Sequence, residues 1–166
     1  MKLKQQSLFQ DNGASFSPCR LYRYSLWRFW NKPKGYVAFM CLNPSTADET
    51  NPDPTVTRCI NFANSWGYGG MMMLNLFAYR STDPKQLLMV TDPVGPENDI
   101  YIRNASSRSD LTIIAWGVDK AIGKRSDEVL KLLKDPHYLA LTKNGSPWHP
   151  LYLKGSLKPV PFKIKA

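Results

Sequence analysis

Tyr36-Val37-Ala38-Phe39-Met40-Cys41-Leu42 carries no charge and no turn former, and Asn43-Pro44 closes it. The run is too short for a core helix. It also lacks the polar alternation of a half-exposed strand, so it reads as a strand covered on both faces. Three later runs have the same character. They are Met71 to Asn75 (MMMLN), Leu111 to Trp116 (LTIIAW, stopped by Gly117) and His137 to Leu141 (HYLAL). Helical segments separate them. Asp53-Pro54 opens the first, with Asp as N-cap and Pro at the first helical position. Val56, Ile60, Phe62, Ala63 and Trp66 form its apolar side, and Gly67 ends it. Asp83-Pro84 starts a short helix by the same device, and Pro96 to Arg108 and Ser126 to Lys134 supply two more. The alternation predicts an α/β fold of three layers, α/β/α, with a mainly parallel four-stranded central sheet. Cys19 to Trp30 (CRLYRYSLWRFW) alternates loosely and suggests a further strand before the turn cluster Asn31 to Gly35.

The chain has 166 residues, which fits one domain, 1–166, with a polar N-terminal tail over about 1–17. At 43% hydrophobic residues it has enough apolar surface for a core, which excludes a disordered chain. No apolar run is long enough to span a membrane, and the polar start has no secretory h-region, so no membrane is expected. Cys19, Cys41 and Cys59 show no CxxC spacing, which argues against a disulfide framework or a zinc site. We therefore expect a cytoplasmic monomer without metal or cofactor. Lys and Arg outnumber acids 22 to 13, for a net charge of +9. Two stretches, Pro18 to Gly35 and Pro136 to Ala166, hold basic residues and no acid at all. Such surface attracts polyanions, which makes nucleic acid the expected partner.

Open parallel sheets bind ligands beyond the C-terminal ends of their strands. The four segments there begin Asn43-Pro44-Ser45, Asn75-Leu76-Phe77, Gly117, and Thr142 onward to Trp148-His149-Pro150-Leu151. The combination resembles the uracil-DNA glycosylase superfamily, over about Tyr36 to Leu153. That superfamily has a G-x-[ND]-P motif after its first strand and a polar residue at the end of the second. Its third strand is hydrophobic and ends in Gly, and a His-Pro-Ser-like loop follows the fourth. Here Leu42 stands where a small residue is usual, and Leu151 stands where Ser follows His-Pro. More closely still, the whole chain resembles a bacterial and phage family marked by NPSTAD and DPT segments, which brings no activity with it.

The first resemblance implies removal of a damaged or C5-modified pyrimidine from DNA by base flipping and hydrolysis of the N-glycosidic bond, in repair or defence against phage. Such a site must hold the flipped base, stabilise the leaving anion and place a water at the sugar. By this resemblance Asn43 would position the water. His149 would donate to the departing base, and Asn75 would read its edge, with Phe77 in the base pocket. Ser45, where the uracil-specific branch has a bulky aromatic, would leave room at C5. Leu151 would wedge into the vacated stack, and Lys143, Lys154 and Arg58 would hold phosphates. Asp48, with Glu49, could supply the carboxylate that Asn43 lacks, whereas Asp53 is explained as a helix cap. The alternative is a non-catalytic nucleic-acid-binding module on the same fold.

Overall fold

The computed structural model describes residues 11–45 and 53–164. A seven-stranded mixed sheet in the order β1-β2-β4-β3-β5-β6-β7 forms its centre. The strands are β1 (Asn12–Phe16), β2 (Arg23–Phe29), β3 (Val37–Cys41), β4 (Gly70–Asn75), β5 (Leu111–Ile114), β6 (Pro136–Tyr138) and β7 (Val160–Pro161). Among the described residues three α-helices accompany them: α1 (Pro54–Ser65), α2 (Asn98–Arg108) and α3 (Arg125–Leu130). The expected four-stranded, mainly parallel sheet is therefore corrected. All four apolar runs contribute to a contiguous parallel block, β4-β3-β5-β6, but the fourth strand is Pro136–Tyr138 and not His137 to Leu141. Antiparallel β2 and β1 extend it on one side, and antiparallel β7 on the other. β1 falls in the stretch expected to be a tail. Its sequence, NGASF, has one large apolar side chain and so no visible alternation. The helix expected over Ser126 to Lys134 ends by Leu130.

All five residues of β3 are buried, because helices cover both faces of the sheet. Val37, Phe39 and Cys41 face one side, with Met71 and Met73 of β4, against Val56, Cys59 and Phe62 of α1. Ala38 and Met40 face the other, with Leu74, against Ile102 of α2 and Val129 of α3. Phe39 is fully buried, so truncating it to Ala would cost about 3–5 kcal/mol.

Two local features place functional groups at the C-terminal edge of the parallel block. The first is the start of α1. Asp53 Oδ1 accepts the Val56 N–H at 2.9 Å, and Pro54 sits at the first helical position. The second is an irregularity in β2. Its pairing with β1 passes from Ser15–Ser25 to Phe16–Arg23 and skips Tyr24. A bulge re-aims the side chains beside it. Tyr24 stacks on Tyr101 of α2, with ring centroids 4.8 Å apart. Arg23 points instead toward Met73, its Nη2 3.6 Å from the Met73 sulfur. Among the described residues no helix is long and apolar enough to cross a membrane.

Candidate functional site

A cavity of about 620 Å³ opens where β3, β4 and β5 end. Asn43, Ser45, Asp53, His149 and Leu151 line it, together with Arg23. Residues more than a hundred positions apart thus share one wall.

The β3 side is held by the backbone. Leu76 and Phe77 donate to the carbonyls of Cys41 and Leu42, and Ser81 N–H donates to Pro44 O at 3.0 Å. Asn43 Nδ2 donates to Ser81 O at 2.8 Å and to Pro44 O at 3.2 Å. Both amide hydrogens are thereby committed, and Oδ1 is what Asn43 offers the cavity. Ser45 Oγ donates to Asp53 Oδ2 at 3.1 Å. Asp53 is the N-cap that its sequence suggested, and it is also a carboxylate on the cavity wall.

The His149 side is pinned at several points. Gly117 turns the chain after β5 with φ +73°, a conformation that favours glycine. Its N–H donates to Pro147 O at 2.9 Å, and Trp148 N–H donates to Ala140 O at 2.9 Å. Arg58 of α1 donates from Nε to Pro150 O at 3.3 Å and lies over the Phe62 ring. His149 Nδ1 accepts the Leu151 N–H at 3.3 Å. That bond places the ring proton on Nε2 in the neutral form. Burial lowers the His149 pKa from its ordinary 6.5, with Asp53 acting partly against it. The cavity therefore holds a neutral imidazole with one N–H to give.

Arg23 went unmarked as a site residue because its neighbours read as a strand. It is 1% exposed, and its pKa falls to about 10, driven by burial and opposed by Asp53. The signal for it is an arginine set inside an aromatic strand, which also carries Arg28. Trp116 and the exposed Tyr152 also line the cavity, and the rings of Tyr152 and His149 lie 6.4 Å apart.

Other expected site residues lie elsewhere. Phe77 belongs to the core on the α2 side, because a bend at Leu76 breaks the strand alternation and puts Leu76 and Phe77 in the same cluster. It does not line the cavity. Asn75 pairs in register with Cys41 and lies two residues beyond Met73, both on the cavity wall. Its own side chain is 1% exposed and is not part of that wall. Neither polar atom of its amide has a hydrogen-bond partner among the described residues. Lys143 and Lys154 are exposed and outside the cavity. Arg58 borders a smaller cavity of about 200 Å³ with Asn61 and Gly155, and its contact with Pro150 makes it a brace for the His149 turn. Asp48 lies outside the described residues. Among the described residues no three His, Cys, Asp or Glu side chains gather as a metal site.

No curated protein and no solved structure matches the chain. A family model described as "Protein of unknown function (DUF1643)" matches residues 23–151, a span whose two ends, Arg23 and Leu151, both line the cavity. The chain belongs to the DUF1643 family.

Proposed function

We propose that the chain is a monofunctional DNA glycosylase. It takes a damaged or C5-modified pyrimidine into the cavity and hydrolyses the bond to its sugar. It would do so as a cytoplasmic monomer on a fold akin to the uracil-DNA glycosylase superfamily. The observation that carries this reading is the meeting of Asn43 and His149 in one cavity at the C-terminal edge of the sheet.

Each group has a part in the cleavage. Asn43 presents a carbonyl oxygen, which can orient a water at C1′. His149 presents a neutral Nε2–H, a donor suited to the charge that develops on the departing base. Ser45 is small, so the wall beside it leaves room for a C5 substituent. Asn75 lies behind the wall formed by Cys41 and Met73, and its amide has no hydrogen-bond partner among the described residues. At the cavity rim Tyr152 is 79% exposed, and Trp148, outside the cavity, is 44% exposed, in a turn region that also bears Lys143 and Lys154. Exposed aromatic rings among lysines suit stacked bases and phosphates.

The test is an abasic-site assay on oligonucleotides carrying uracil, 5-hydroxymethyluracil or 5-fluorouracil, single-stranded and duplex. Alkali-labile sites are expected with at least one substrate. DNA binding without such sites on any of them would favour the non-catalytic binding module.

A further inference from the structure

The proposed chemistry lacks a charged group at Asn43. An amide can orient water but cannot take its proton, and it offers no charge to the sugar as that becomes positive. The wall that holds Asn43 and His149 also holds one carboxylate fixed at both oxygens. Asp53 Oδ1 accepts from Val56 N–H at 2.9 Å, and Oδ2 accepts from Ser45 Oγ at 3.1 Å. Capping α1 needs only the first oxygen. The second is held by the residue two places after Asn43, on the face that lines the cavity. The Asp53 charge reaches both Arg23 and His149, since it raises the pKa of each against the effect of burial.

We propose that Asp53 is the general base of the cleavage, holding the attacking water together with Asn43 Oδ1 and accepting its proton. This rests on the glycosylase reading above. In the step, the water oxygen bonds to C1′ as the bond from C1′ to the base nitrogen breaks. The electron pair of that bond leaves with the base, whose anion accepts a hydrogen bond from His149 Nε2–H. The water proton passes to Asp53 and then, through solvent, to the departed base. The products are the free base and an abasic sugar, and no co-reactant is needed. Until the reaction begins, Ser45 keeps the carboxylate aimed and α1 anchors it.

Asp53→Asn separates the two roles of the residue. Asn caps helices as well as Asp, so the fold is retained while charge and basicity go. With the same three bases as substrates, the variant should release base ~10²-fold or more slowly. Its melting temperature and its affinity for abasic DNA should match the parent. The loss should persist on 5-fluorouracil, because an easier leaving group does not replace a missing base. Release at the parent rate by Asp53→Asn overturns this inference alone. So does a loss that comes with a lowered melting temperature and weakened DNA binding, which marks a structural role. No release by the parent from any of the substrates overturns this inference and the glycosylase reading together.

Discussion

Replacing His149 by Ala separates leaving-group stabilisation from folding and from DNA affinity. The imidazole is half-buried, and among the described residues its one hydrogen bond, from Leu151 N–H, is long at 3.3 Å. The backbone ties at Pro147, Trp148 and Pro150 do not involve the side chain. The stability cost should therefore be about 1 kcal/mol, a fall in melting temperature of about 2–4 °C for a chain this size. The catalytic cost should be larger. Losing one fixed donor to a developing anion typically costs ~10²–10³-fold, or about 3–4 kcal/mol in the barrier. DNA affinity should hardly change, because phosphate contacts dominate it. The assay is single-turnover base release under conditions where all DNA is bound. The loss should shrink when uracil is replaced by 5-fluorouracil, whose anion needs less help to leave. A variant that releases both bases at the parent rate would refute the role given to His149. A loss equal on the two bases would refute the leaving-group argument behind it.

Three further outcomes follow from particular residues. Replacing Lys143 and Lys154 together by Ala should lower the slope of log K against log salt by about 1.8 for duplex DNA, ~0.9 per phosphate contact; titrations across salt concentrations would show an unchanged slope if these lysines face no phosphate. Because burial lowers the His149 pKa, the unfolded chain takes up this proton first as the pH falls. Its contribution to stability is complete above about 6.5 and is lost as the pH falls through the lowered folded value. Urea midpoints of the parent should thus fall more steeply below 6.5 than those of His149→Gln, and parallel curves would contradict the assignment. Gly117→Ala places a side chain at φ +73°, at a cost of about 1–2 kcal/mol. It should lower the melting temperature by about 2–8 °C and loosen the His149 turn, and an unchanged melting curve would show that the turn bears no strain.

The parallel block was legible because burial on both faces leaves no choice of residue: YVAFMCL and LTIIAW have no polar face. The Asp-Pro pairs at 53 and 83 were legible because a capping side chain and a proline act within one turn; each is a side-chain cap in the structure. What was hidden depends on pairing partners. β1 exists because β2 supplies its hydrogen bonds, and NGASF alone carries no period. The displaced register at Tyr24 cannot be seen in CRLYRYSLWRFW, yet it turns Arg23 into the cavity. Asp53 was legible as a cap, and its second oxygen acquires meaning only when Ser45 lies 3.1 Å away. Phe77 stands at the right place in sequence, but the bend at Leu76 breaks the alternation and sends its ring into the core on the α2 side.

The central claim is that the cavity shared by Asn43 and His149 releases a base. The direct measurement is mass spectrometry of the small-molecule fraction and of the DNA after incubation with the three modified oligonucleotides. The account predicts a free pyrimidine and an equal amount of DNA lighter by the mass of that base less one water, both greatly reduced with His149→Ala. Intact DNA from every substrate, under conditions where the chain is fully bound to it, would contradict the account.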